Sequence, residues 1–222
     1  MLKLNEIFQT IQGEGVFTGV PAIFVRLQAC PVGCSWCDTK QTWEANAQDE
    51  TTTDAIIAKT GDSPSWSEVS EQDLIELYRQ QGFTARHIVI TGGEPCIYDL
   101  TKLTNAFEEI GCQCQIETSG TSPINCSEKT WVTVSPKINM GGKLPVLPEA
   151  LKRANEIKHP VAREKDIEQL DTLLKECDVS EKTVIALQPI SQGNRATELC
   201  IETCVKRNWR LSIQTHKYLN IA

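Results

Sequence analysis

Nowhere in the 222 residues does an apolar run approach the ~18 to 20 needed to cross a bilayer. Lys3 is not followed by the long apolar stretch of a secretory signal. The cytoplasm is therefore the expected location, with no membrane partner. Basic runs are missing as well. With 22 Lys and Arg against 29 Asp and Glu, a formal charge of -7 and a pI near 5.1, the chain has no cationic track for phosphates. That excludes a general nucleic-acid surface and leaves small molecules as the expected partners. Without a secretory leader, the ten cysteines read as reduced thiols, not as a disulfide framework. Histidine is scarce: of three, His87 and His159 sit in no ligand motif and are expected to be structural. A second C-x2-C pair of the kind used by structural zinc is absent too.

What the chain does have is Cys30-Pro31-Val32-Gly33-Cys34-Ser35-Trp36-Cys37, three thiols in one short loop. Pro31 and Gly33 bend the backbone so that the sulfurs can turn inward, and Trp36 can shield what they hold from water. Thiolates are soft donors that suit zinc, copper(I) or an iron-sulfur cluster. A cubane closed by protein alone takes about four cysteines, so three clustered ligands suggest one iron left open to a substrate or cofactor. The alternative is a zinc or cluster site closed from a distance by Cys96 or Cys126. Cys112, Cys114, Cys177, Cys200 and Cys204 lie in or beside apolar patterns and are expected to behave as small core hydrophobes.

Hydrophobic periodicity orders the rest. Residues 4–11 read as a strand running into the Gln12-Gly13-Glu14-Gly15 turn. Residues 22–28 alternate, with Ile23, Val25 and Leu27 on one face and Phe24, Arg26 and Gln28 on the other. This second strand delivers the cysteine loop. On its polar face Arg26 needs an anion, supplied by a substrate carboxylate or by a structural Asp or Glu. Residues 44–70 are polar and read as an insertion or lid around a helical patch at 55–57. Ser70 and Asp73 form a capping-box pattern ahead of a helix that ends near Gln81. Ile88-Val89-Ile90 is a buried strand feeding Thr91-Gly92-Gly93-Glu94-Pro95, and a helix with Asp99 as its N-cap follows. Further strands are expected at 114–118, 131–134, 156–161, 184–187 and 210–215, with helices at 167–177 and 196–207. Such alternation implies a parallel sheet with right-handed crossovers. In α/β barrels functional residues gather at the carboxyl ends of strands. The cysteine loop, 91–95, 117–120, 135–137, Gln188 and His216 all fall there. Because the chain is shorter than the ~250 residues of a full eight-unit barrel, the expectation is a partial, open one in a single domain over 1–222.

The C-x3-C-x2-C loop, with an aromatic residue before its last cysteine, resembles the cluster loop of the radical S-adenosylmethionine enzymes. Residues 91–95 resemble the GGE motif with which that superfamily holds the amino group of the methionine moiety. The resemblance implies a partial, open (β/α)6-type TIM-like barrel. Cys30, Cys34 and Cys37 would carry a [4Fe-4S] cluster, with S-adenosylmethionine chelating its fourth iron. Taken in order, Gln12-Gly13-Glu14-Gly15, Arg26, Cys37-Asp38-Thr39, 91–95, Ser135-Pro136-Lys137 and Thr215-His216-Lys217-Tyr218 resemble the 7-carboxy-7-deazaguanine synthases over essentially the whole chain. The short loop is similar to that of the enterobacterial type. Members of that family are carbon-nitrogen lyases. They contract the ring of 6-carboxy-5,6,7,8-tetrahydropterin and release ammonia, on the route to queuosine in tRNA, and they depend on Mg2+.

The same resemblance implies roles. Arg26 would take the substrate carboxylate in a bidentate match. Ile11, Gln12, Gly13, Glu14, Thr91 and His216 would position the pterin, whose amides and amine call for mixed donors and acceptors. The terminal carboxylate of Ala222 would reach it as well. Thr39 would ligate Mg2+, its other use being to cap the helix after the loop. Gly93, Ser135, Pro136, Lys137 and Gln188 would hold S-adenosylmethionine. Glu117 would meet the ribose hydroxyls or else pair with a structural Arg or Lys. A flavodoxin or ferredoxin as electron donor and a second copy in a homodimer are the implied partners. Two rival readings are a radical activase that takes hydrogen from a glycine of a partner protein, which Gln12 to Gly15 opposes, and a non-catalytic zinc-stabilised module, which 91–95 opposes.

Overall fold

The computed structural model describes residues 1–219 and 221. In chain order the elements are β1 (Leu2–Ile11), β2 (Pro21–Leu27), α1 (Thr53–Ile57), β3 (Ser67–Val69), α2 (Glu71–Gln80), β4 (His87–Gly92), α3 (Thr101–Glu109), β5 (Gln113–Thr118), β6 (Trp131–Val134), α4 (Pro148–Arg153), β7 (Glu156–Val161), α5 (Glu164–Glu176), β8 (Val184–Pro189), α6 (Asn194–Arg207), β9 (Arg210–Leu211) and α7 (Thr215–Leu219). They build one nine-stranded sheet in the order β3-β1-β2-β4-β5-β6-β7-β8-β9. β1 is antiparallel to both its neighbours, and every pairing from β2 to β9 is parallel. The sheet is open, with β3 and β9 at its edges.

Strand alternation decides where the core lies. Ile23 and Val25 of β2, Ile88 and Ile90 of β4 and Ile116 of β5 are fully buried against Leu74 of α2 and Leu103 and Phe107 of α3. A second cluster joins Val132, Val134, Ile157 and Leu187 to Leu151, Leu170 and Cys200 of α4, α5 and α6. Each such side chain contributes roughly 1.5 to 3 kcal/mol of burial. The cysteines expected in the core, 112, 114, 177, 200 and 204, are all buried there. Residues of opposite parity then face away from this helix-packed core, and Phe24, Arg26, Thr91, Glu117, Lys158 and Gln188 line a cavity.

Local signals explain several boundaries. Asp73 N donates to Ser70 Oγ at 3.1 Å and Ser70 N to Asp73 Oδ2 at 2.7 Å, the expected capping box. Asp99 accepts the Thr101 amide at 2.9 Å, but Leu100 is the residue at the N-cap of α3. The polar segment 44–70 is not wholly separate from the sheet, since β3 pairs with β1. The largest departure is at the end of the chain. β9 stops at Leu211, and after three residues the backbone turns into α7, so His216 is delivered by a helix and not by a strand. The Ser212 amide still donates to Leu187 O of β8, while the side chains of Ser212 and Gln214 turn inward to Gln188 and Glu14.

Candidate active site

The cysteine loop leaves β2 and is clamped from three sides. Ala29 N donates to Thr42 O and Cys30 N to Trp43 O, both from the segment that follows the loop. Gly93 N donates to Leu27 O and Glu94 N to Ala29 O from the end of β4. Gly142 N donates to Val32 O and Gly141 N to Gly33 O from the chain beyond β6. Gly33 has φ +68, a left-handed turn that lets the loop fold back between its first two cysteines. Burial pushes the Cys30 thiol up to about 11, with Glu94 and Cys34 adding to the rise. Burial raises Cys34 also, and Lys137 pulls it back. The Cys37 sulfur lies 3.4 Å from Thr39 N and 3.6 Å from Thr39 Oγ1.

A polar floor continues from this loop. Lys158 Nζ donates to Glu14 Oε2 at 2.7 Å and to Glu117 Oε2 at 2.9 Å. Gln214 Nε2 donates to Glu14 Oε1 at 2.8 Å, and Gln115 Nε2 to Glu117 Oε1 at 2.9 Å. Burial alone would raise Glu14, but the Lys158 ammonium and the amide of Gln214 hold it down to about 2. Glu117 goes the other way: burial pushes it up to about 7 against the pull of Lys158, with Glu14 and Glu156 reinforcing the rise. Lys137 donates to Ser135 Oγ at 2.6 Å, and burial lowers its pKa.

Glu94 of the GGE motif is turned inward. Its carboxylate accepts from Cys96 N at 3.0 Å, Thr118 Oγ1 at 2.6 Å, Ser119 N at 2.8 Å and also Ser119 Oγ. It thereby ties the end of β4 to the end of β5. Arg26 is half-buried, and its Nε pairs with Glu6, one of the two partners left open by the sequence.

These groups surround a cavity of about 880 Å³, within the usual range for small-molecule sites. Of the residues expected from the sequence, Ile11, Gln12, Gly13, Glu14, Arg26, Cys30, Cys34, Cys37, Thr39, Thr91, Gly93, Glu117, Ser135, Lys137, Gln188 and His216 all line it. Pro136 is buried between Ser135 and Lys137 and does not. Ala222 lies outside the described residues. Thr39 sits at the N-cap of the short 3-10 helix Lys40–Thr42 without a side-chain cap bond, which leaves its hydroxyl free of the capping use. His87 and His159 are buried and bonded within the fold, to Gln115 and to the Asp166 carbonyl.

Sequence reasoning missed Lys158, Glu6, Lys59 and Gln214, which also line the cavity. For Lys158 a signal existed. Glu156 and Lys158 alternate with Ile157 and His159 in a short strand that is buried throughout its first four residues, so two charges share one interior face.

Soft thiolate donors lining a cavity fit an iron-sulfur cluster. Neither Cys96 nor Cys126 lines the cavity, so neither is placed to close the set from a distance. Among the described residues, no three His, Cys, Asp or Glu side chains are grouped to hold one metal ion. A cubane takes one thiolate per iron, so its three sulfurs need not converge on a point. The donor set suits a cluster with one open iron better than a single zinc.

No family model matches the chain. The 7-carboxy-7-deazaguanine synthase of Escherichia coli (strain K12) is 63% identical over 219 residues, covering 99% of this chain and 98% of its own. The enzyme of the same name from Buchnera aphidicola subsp. Schizaphis graminum is 50% identical over 218 residues, 98% of each. Among solved structures, the crystal structure of QueE from Escherichia coli matches with a TM-score of 0.94 and 60% identity, covering 96% of this chain and 93% of that one.

Proposed function

The chain belongs to the 7-carboxy-7-deazaguanine synthases, radical S-adenosylmethionine lyases of queuosine biosynthesis with the partial TIM-like barrel of that superfamily, and we propose that the cavity at its strand ends houses their ring contraction. The substrate is 6-carboxy-5,6,7,8-tetrahydropterin, and the products are 7-carboxy-7-deazaguanine and ammonia. One observation supports the placement above all: sixteen of the eighteen residues expected from the sequence to hold cluster, cofactor, ion or pterin line one cavity.

In this reading Cys30, Cys34 and Cys37 hold the [4Fe-4S] cluster, while Gly93, Ser135, Lys137 and Gln188 seat S-adenosylmethionine. Bound there, cluster and cofactor supply the one-electron chemistry that takes hydrogen from the pterin. The protein's own work is orientation and exclusion of water. Glu14, ionised throughout the neutral range, offers the pterin acceptor lone pairs only. Arg26 spends Nε on Glu6 and meets the substrate carboxylate with the rest of its fork. Gln12, Thr91 and His216 complete the cradle, and Trp36 and Trp43 screen it from solvent. Pro136 acts at one remove by fixing the backbone between its neighbours. Thr39 would hold Mg2+ through its hydroxyl, an oxygen donor of the kind that ion prefers.

The working unit is a single domain over 1–222, assembled as a homodimer in the cytoplasm and reduced by a flavodoxin or ferredoxin. Ten free thiols suit a reducing compartment. Among the described residues, no helix is long and apolar enough to cross a membrane. The test is anaerobic: load the cluster, reduce with dithionite, add S-adenosylmethionine, Mg2+ and the carboxypterin, and follow products by mass spectrometry. Formation of 7-carboxy-7-deazaguanine, lost on removal of Mg2+ and in Thr39→Val, is the expected result. Cleavage of S-adenosylmethionine with the pterin untouched would overturn the substrate, and a colourless zinc protein would overturn the whole reading.

A further inference from the structure

Lys158 is a cation on an interior strand, 4% exposed, at a seam of the cavity between Glu14 and Glu117. A buried ammonium persists only if it is paired and hydrogen-bonded. Its two partners come from different elements: Glu14 from the loop after β1, Glu117 from the end of β5. Each carboxylate gives one oxygen to Lys158 and the other to a glutamine amide, Gln214 for Glu14 and Gln115 for Glu117. Both carboxylates are thus fixed in rotation, with lone pairs left over for a ligand. Resting on the assignment of Glu14 to the pterin, we propose that Lys158 is a positioning residue that holds Glu14 as an acceptor-only carboxylate for the substrate while keeping Glu117 beside it.

The charged groups around this seam are few. Glu14 faces Lys158 and, from α7, His216. Glu117 faces Lys158, Glu14 and Glu156. Lys137 approaches from the loop after β6. If Lys158 is removed, Glu14, Glu117 and Glu156 are left together in a buried region without their nearest cation. Adjacent buried carboxylates cannot all ionise, and Glu14 and Glu117 come to share a proton. As pH falls, Glu14 then loses the acceptor character that the pterin requires.

The test measures binding without turnover: calorimetric titration of the carboxypterin into anaerobic, cluster-loaded protein lacking S-adenosylmethionine, at about pH 6 and about pH 8. Wild type is expected to bind with little change between the two. Lys158→Met should bind more weakly at both and roughly tenfold more weakly at the lower pH, because one proton competes with the ligand. Lys158→Arg should restore most of the affinity and the flat profile. A Lys158→Met variant with wild-type affinity and a wild-type pH profile overturns the inference. Should that variant not fold, Lys158→Met/Glu117→Gln removes the opposed charge and carries the test. Weaker binding than Glu117→Gln alone supports the role, and equal binding overturns it. A wild type that binds no pterin at all overturns the substrate assignment and this inference with it, whereas normal wild-type binding with an unaffected variant sinks the inference alone.

Discussion

At Gly93 an added methyl group would lie 2.1 Å from the Ala29 carbonyl oxygen, and at Gly142 one would lie 1.9 Å from that of Pro31. Both neighbours are backbone, so neither can swing away. The two glycines let the end of β4 and the chain beyond β6 close on the cysteine loop, and that closure fixes the backbone that carries the three cysteines. Gly93→Ala and Gly142→Ala should therefore fold but take up less than about half the wild-type iron on reconstitution, read as iron per chain and as visible absorbance. Glu94 acts at the same scale through hydrogen bonds. Glu94→Ala strands the buried donors of Thr118 and Ser119, each unpaired group costing about 1 to 3 kcal/mol. Denaturant unfolding should show a loss of about 3 kcal/mol or more. Glu94→Gln keeps acceptor capacity at one atom and should lose less.

Between residue and fold, the capping box of α2 is the cleanest case of local sequence deciding an element. Ser70→Ala should cost about 1 kcal/mol in denaturant unfolding, with no change in cluster content. Such local signals are what made most elements legible. The run 88–90, bounded by polar residues and glycines, became the centre of β4, and the alternation of 22–28 became β2. The same alternation misled at 210–215, because a period of two reports faces, not partners. Leu211 and Ile213 stay 39% exposed, among the described residues no strand pairs with the outer side of β9, and the side chains of Ser212 and Gln214 bond inward to Gln188 and Glu14. The site divided along similar lines. Cysteine spacing and the 91–95 motif are contiguous, so they could be read directly. The pairing of Lys158 with Glu14 spans 144 residues and leaves no spacing to recognise; only an unexplained charge pair on a buried strand hinted at it.

For the molecule as a whole, the shifted groups set how stability follows pH. Burial depresses His159 from 6.5 to about 4, so the unfolded chain binds more protons in that window and stability is lost as pH falls below 6.5. His87, also depressed by burial, acts in the same sense. Glu117, raised from 4.5 to about 7, acts oppositely: the folded chain binds the extra proton, so its contribution is full below 4.5 and lost as pH rises through 7. Between about pH 7 and pH 4.5 these trends offset each other, and the cluster-loaded protein should show only a shallow decline. Below 4.5 Glu14, depressed to about 2, loses its stabilising charge, and acid unfolding sets in. Glu117→Gln takes away the compensating term and exposes the histidine slope. Guanidinium unfolding followed by tryptophan fluorescence should then show the variant losing stability from pH 6.5 downward, on the order of 2 to 3 kcal/mol by pH 4.5, while wild type barely moves. Parallel curves for the two proteins would mean that Glu117 does not carry a proton in the folded state near neutrality, and that the buried carboxylates divide their charge in some other way.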